Sequence, residues 1–303
     1  MTEPELQFVQ CPDAGAAHRM AYWLWGDPSA PQVVLCVHGL SRQGRDFDTL
    51  ARALRARAGE RVCVVCPDLV GRGRSDWLKD PALYQYATYV ADLLVLLAQF
   101  KPQALDWVGT SMGGVAGMIT CGQPGLALPA AVRRLVLNDV GPSLSWEAVA
   151  RIGGYLGQAG SFGSLEDAAT ALRAISPGFG PHTPQQWLEL SRHMVAPLGG
   201  AAGRLRLHYD PGIAVAVRAA TRESVAQGEA GLWQLYDNIR AKTLLLRGMQ
   251  SDVLSAACAL EMTRRGPKAR LVEFAGVGHA PTLVADDQLE SVCGFLLAQG
   301  GVA

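Results

Sequence analysis

Short apolar runs rich in β-branched residues alternate along this chain with longer segments of helical period. Val33-Val34-Leu35-Cys36-Val37 is such a run, and it ends in His38-Gly39. Residues 48–58 follow with Leu50 and Leu54 one turn apart, the i, i+4 spacing of an amphipathic helix. Further apolar runs at 62–65, 105–108, 134–137, 243–246 and 270–274 predict five more strands. Between them, residues 89–100 place Leu93, Leu94, Leu96, Leu97 and Phe100 on the apolar side of a helix, and a glycine-rich turn after residue 108 leads into another. Strands alternating with helices predict an α/β fold, a mostly parallel sheet with helices on both faces. From about 141 to 231 the texture changes: β-rich runs become scarce, 165–175 and 184–194 read as helices, and Gly and Pro breaks are frequent. We read one core, residues 1–141 and 232–303, interrupted by a helical insertion at 142–231.

Composition narrows the picture. The 303 residues carry 27 Lys+Arg against 27 Asp+Glu, so neither a nucleic-acid footprint nor a polybasic membrane stripe is expected. No charge occurs from Trp107 to Val132, yet the many glycines there, with Pro124, Pro129, Ser111 and Gln123, fit a buried strand and helix rather than a membrane span. Glu3 and Glu5 at the start do not resemble a secretory signal, and the expected location is the cytoplasm. There the seven cysteines should be reduced and mostly buried. Cys63 and Cys66 form a C-x-x-C inside an apolar run. Three residues apart on a strand they face opposite sides and cannot share a metal ion. No metal-ligand spacing, Walker sequence or strand-to-helix G-x-G-x-x-G is found, so no metal and no cofactor are expected.

The chemistry concentrates in Gly109-Thr110-Ser111-Met112-Gly113, a G-x-S-x-G between a predicted strand and a predicted helix. In that context the motif is a nucleophile elbow: a sharp turn forces the serine into a strained conformation, and small neighbours let the chain pass. Its hydroxyl then stands at a helix N-terminus, where backbone N–H groups favour negative charge.

With these residues the sequence resembles the α/β-hydrolase family. The resemblance covers most of the chain and rests further on Val37-His38-Gly39-Leu40, on the loop from Asp68 to Asp76, on Arg247-Gly248-Met249-Gln250-Ser251-Asp252 and on Gly276-Val277-Gly278-His279. In the 68–76 loop Arg72 stands where family members usually carry histidine. The resemblance implies a hydrolase core with a helical cap, and a serine activated by a histidine base. It puts the nucleophile at Ser111 and the base at His279, with His38 shaping the oxyanion loop. For the acid that orients the base, Asp252 is favoured over Asp139, which follows the preceding strand and holds this role in some members. The oxyanion hole falls to the backbone N–H groups of Met112 and of Leu40, with Ser41 as a looser alternative to Leu40.

What the resemblance implies is a cofactor-free serine hydrolase that cleaves a carboxylic ester or related acyl bond of a small molecule through an acyl-enzyme. A lactonase or carbon–carbon bond hydrolase would use the same constellation, and a ligand-binding receptor could occupy the same scaffold. Within the cap, Trp146, Phe162, Phe179, Trp187 and Tyr209 are candidates to line a pocket, and Tyr209-Asp210 to pack the cap on the core.

Overall fold

In the computed structural model, which describes residues 3–12, 17–158, 160–199 and 203–298, the chain opens with an antiparallel hairpin, β1 (Glu5–Cys11) and β2 (His18–Trp25). Strand and helix then alternate: β3 (Gln32–Val37), α1 (Asp48–Ala58), β4 (Val62–Asp68), α2 (Tyr86–Leu97), β5 (Ala104–Thr110), α3 (Met112–Gly122) and β6 (Val132–Asn138). Next come α4 (Trp146–Tyr155), β7 (Ser161–Phe162), α5 (Leu165–Ile175), α6 (Pro184–Arg192), β8 (Val195–Pro197), β9 (Leu205–Leu207), α7 (Ala214–Ala219) and α8 (Arg222–Asn238). The core resumes with β10 (Lys242–Gly248), α9 (Ala256–Met262), β11 (Arg270–Phe274) and α10 (Asp286–Leu297).

Eight strands form one sheet in the order β1-β2-β4-β3-β5-β6-β10-β11. Every pairing from β4 to β11 is parallel, and the two hairpin strands join antiparallel at one edge. Each predicted strand is present; the hairpin lies outside the pattern that predicted them. β1 is exposed at Glu5, Phe8 and Gln10 and buried only at Val9 and Cys11, as suits an edge strand, and lacks a β-branched run.

The central strands are apolar throughout because both faces are covered. Val33, Leu35 and Val37 point into one core cluster and Val34 and Cys36 into the other, all fully buried. Cys63 and Cys66 divide between the same two clusters, so the C-x-x-C spans the sheet as its spacing predicts. Each buried Val or Leu stabilises the fold by about 1.5–3 kcal/mol relative to an exposed one.

Between β6 and β10, α4 packs on α7, α5 on α6, and β7, β9 and β8 form a small antiparallel sheet. The expected boundary at residue 231 falls inside α8. That helix packs on α3, with Gly122 against the Leu235 backbone, and so lies against the core. Asp210 ties the inserted segment to the 68–76 loop: it accepts from Tyr84 Oη at 2.5 Å and donates its N–H to the Gly71 carbonyl at 2.7 Å. A second seam joins Gly278 N–H to the Gly178 carbonyl at 2.7 Å.

Trp107 links this core to the elbow. Fully buried on β5, it donates from Nε1 to the Gly113 carbonyl at 3.1 Å. Trp107→Phe should keep the fold yet lower unfolding free energy by about 1–3 kcal/mol, for lost volume and the lost buried hydrogen bond. Urea denaturation followed by circular dichroism measures it.

Candidate active site

β5 ends at Thr110, and the chain reverses into α3 over a single residue, Ser111, at φ 50° and ψ −116°. Only close packing holds a side-chain-bearing residue there. A Cβ at Gly109 would collide with the Gly113 carbonyl, and one at Gly113 with the carbonyl of Val37 at the end of β3. Glycine at both positions lets the helix start, the elbow and β3 meet backbone to backbone. The Ser111 N–H donates to the Asn138 carbonyl at 3.0 Å, which pins the turn to β6.

His279 lies on the loop after β11, its Nε2 2.9 Å from Ser111 Oγ. Asn138 steadies that loop, donating from Nδ2 to the Pro281 carbonyl at 2.8 Å and to Thr110 Oγ1 at 3.0 Å. On the other side of the ring, Nδ1 is 2.7 Å from Asp139 Oδ2. With Asp139 as the acceptor, the proton on Nδ1 leaves Nε2 free to accept from the serine hydroxyl.

This corrects the expected acid. The carboxylate the structure brings to His279 is Asp139, and Asp252 is elsewhere. Asp139 directly follows β6, the neighbour of the serine-bearing β5, at φ 57°. It is fully buried, and its oxygens also accept from Gly248 N–H at 2.8 Å and Ser251 Oγ at 2.5 Å. Asp252 follows β10, one strand farther from β5. The segment from Gly248 to Ser251 gives Asp139 its donors and leaves Asp252 half-exposed at the rim, where Arg151 of α4 holds it at 2.6 Å. The local signal was present: Asn138-Asp139-Val140-Gly141 is a strand end running into a small residue.

The loop after β3 faces the start of α3. His38 is fully buried, donating from Nδ1 to the Gly39 carbonyl at 2.7 Å and accepting the Leu69 N–H on Nε2 at 2.9 Å. Burial, with Arg72 and Arg42 nearby, pushes its pKa down to about 3, so it serves as a neutral strut. Holding the Gly39 carbonyl fixes the whole Gly39–Leu40 peptide plane, including the Leu40 N–H. Among the described residues neither Leu40 N–H nor Met112 N–H donates to another backbone carbonyl.

Ser111 and His279 open into a cavity of about 490 Å³ between core and insertion. Apolar walls come from Leu40, Ile152, Tyr155, Leu172, Ile175 and Leu207; Arg151 and Asp252 stand among the polar ones. Of the five expected cap residues, Phe179 and Tyr209 line it. Trp187 backs Phe179 from behind, its ring stacked at 5.9 Å. Ile152, Tyr155, Leu172 and Ile175 lie in sequence segments of ordinary amphipathic helix, with nothing local to mark them as pocket residues.

Among the described residues one group of three side chains, Cys11, His18 and Asp92, brings potential metal-ligand atoms within 4.8 Å of one another. The sequence spacing hid it, because β1–β2 pairing and α2 bring these residues together. All three are buried; His18 Nε2 lies 2.9 Å from Asp92, and burial beside that carboxylate raises the Cys11 thiol pKa. None of them lines the Ser111 cavity.

Residues 34–292 match the model of the "Alpha/beta hydrolase family". The chain belongs to that family. As an α/β-hydrolase it is an enzyme, and its relatives agree. A 3-hydroxybutyrate-oligomer hydrolase of Cupriavidus necator is 47% identical over 287 residues, 94% of this chain and 95% of that one. The crystal structure of an alpha/beta hydrolase from Novosphingobium aromaticivorans is similar at TM-score 0.80 and 35% identity, over 98% of this chain and 99% of that one. An esterase from Mycobacterium tuberculosis is similar at TM-score 0.67 and 26% identity, over 98% and 92%.

Two outcomes follow from this geometry. Asp139→Asn should lower kcat by about 10⁴-fold with the fold retained, through the wrong imidazole tautomer. Asp252→Asn should stay within about tenfold of wild type, since it loses only a half-exposed ion pair. Steady-state kinetics with circular dichroism measure both. His38 binds fewer protons folded than unfolded between about pH 3 and its ordinary 6.5. Its contribution to stability is therefore complete above 6.5 and drains as pH falls toward 3. Urea midpoints measured across that window should fall less steeply in His38→Gln than in wild type.

Proposed function

We propose that this α/β-hydrolase cleaves the ester bonds of short 3-hydroxybutyrate oligomers, with Ser111 as nucleophile, His279 as base and Asp139 as the acid that orients it. The observation that carries the reading is the continuous hydrogen-bond path Ser111–His279–Asp139 opening into the cavity. The similarity to the 3-hydroxybutyrate-oligomer hydrolase, nearly end to end in both chains, supports the substrate class. A largely apolar cavity of about 490 Å³ suits a flexible chain of methyl-branched, four-carbon ester units.

In this mechanism Ser111 Oγ attacks the ester carbonyl while His279 Nε2 takes its proton. Asp139 stabilises the imidazolium through Nδ1–H. The tetrahedral oxyanion is met by the N–H groups of Leu40 and Met112, the latter at the start of α3 where the helix dipole favours negative charge. Collapse expels the hydroxyl end of the leaving unit, which takes the proton from His279. Water, deprotonated by the same histidine, then releases the acyl group as a hydroxy acid and restores Ser111.

Purified enzyme should convert 3-hydroxybutyrate dimer and trimer to monomer, read by liquid chromatography, faster than it opens lactones or cleaves a carbon–carbon hydrolase substrate. A fluorophosphonate probe should label Ser111, and Ser111→Ala should lower kcat by on the order of 10⁶-fold. Label on another serine, or near-normal turnover in Ser111→Ala, would overturn the mechanism. A lactone or carbon–carbon substrate preferred over the oligomers would overturn the substrate class alone.

A further inference from the structure

Arg72 is an expensive residue where it stands. Its side chain has 0% exposure, and among the described residues no carboxylate forms an ion pair with it. A buried charge without a counter-ion costs several kcal/mol, so such groups are uncommon unless something answers the charge. What Arg72 touches is specific. Nε donates to the Leu40 carbonyl at 2.9 Å, and Nη1 donates to the Val70 carbonyl at 2.7 Å and to Tyr89 Oη at 3.0 Å. Nη2 rests on Met112 Sδ at 3.7 Å. The guanidinium lies over the rings of Tyr89 at 4.9 Å and Tyr84 at 5.7 Å, which offer partial charge and no proton acceptor of full charge.

Leu40 and Met112 are the two residues assigned above to the oxyanion hole, and they come from separate elements, the loop after β3 and the start of α3. Arg72 is the side chain that bridges them. On the upstream side of Leu40, His38 fixes the peptide plane that carries its N–H. On the downstream side, Arg72 fixes the next plane through the Leu40 carbonyl. The residue is thus held at both of its peptide bonds.

We propose that Arg72 is a positioning residue of the oxyanion hole, and that its uncompensated charge is balanced when the tetrahedral oxyanion forms. This inference rests on the reading of Ser111 as nucleophile. Preorganised charge of this kind acts on the transition state and little on the bound ester, so it should appear in kcat rather than KM.

The experiment uses the full chain with Arg72→Met, which matches the length and removes the charge, and Arg72→Lys, which keeps the charge and loses the fork. Two inhibitors of the same skeleton are compared: a trifluoromethyl ketone and its methyl ketone. Ser111 adds to the trifluoromethyl ketone, forming an Oγ–C bond with the proton passed to His279 and an oxyanion left on the former carbonyl; the methyl ketone binds without adding. Arg72→Met should lose about 10- to 100-fold in kcat, less than the 10²–10³ of a deleted oxyanion donor, with KM within about threefold. It should bind the trifluoromethyl ketone more weakly by the same factor and the methyl ketone unchanged, and Arg72→Lys should recover part of both losses. Unchanged kcat, or equal weakening of both ketones, overturns the proposal. If Arg72→Met fails to fold, Arg72→Lys decides on the same comparison: selective loss of the trifluoromethyl ketone supports it and equal affinities overturn it. Near-normal turnover in Ser111→Ala would instead mark the failure of the underlying mechanism.

Discussion

The backbone-to-backbone contact between the first turn of α3 and the end of β3 is the constraint on which the site depends. A Cβ at Gly113 would strike the Val37 carbonyl, so the elbow and the start of the loop after β3 touch with no side chain between them. Everything nearby has a position relative to that contact. Trp107 supports it from inside the core, and Asn138 accepts the Ser111 N–H while steadying the His279 loop. Asp139 follows on the next strand. Parallel strands put all these loops at one end of the sheet, which is where ligands bind in open α/β folds.

Polar groups around the site are treated in two ways. His38 is kept neutral by burial and used as a strut between the Gly39 carbonyl and the Leu69 N–H. Asp139 gathers three donors on its two oxygens, so its burial is matched by hydrogen bonds. Arg151 and Asp252 are the contrasting case. Their pairing at the rim is half-exposed, contributes little to stability, and lies across the line between core and insertion.

Much of this was legible in the sequence, for reasons that differ by element. The inner strands are apolar on both faces and bounded by turns, so residues 33–37 and 243–246 announce themselves. The edge strand β1 exposes part of its surface, β2 is mostly buried, and neither has a β-branched run, so the hairpin passes unnoticed. Ser111 and His279 were legible because the elbow's glycines are a local steric requirement and the histidine follows a strand and a glycine-rich turn. The aspartate that meets His279 was misread between two that each follow a strand. Strand order in the sheet, a non-local property, is what places Asp139 nearer to the serine strand. Cavity residues such as Tyr155 and Leu172 depend on how the insertion folds back, which no local pattern encodes.

The hydrogen bond from the Gly278 N–H to the Gly178 carbonyl carries a lesson for modularity. One residue before His279, the core loop is stitched to the inserted segment, and a Cβ on Gly178 would press against the His279 N–H. The insertion is therefore part of the wall that shapes the histidine's own loop, and the two cannot be inherited separately. Grafting a cap from another hydrolase onto this core, to change what it digests, must keep the turn at 177–180 with its matching glycine. A cap chosen for its pocket alone would arrive with a seam that does not close.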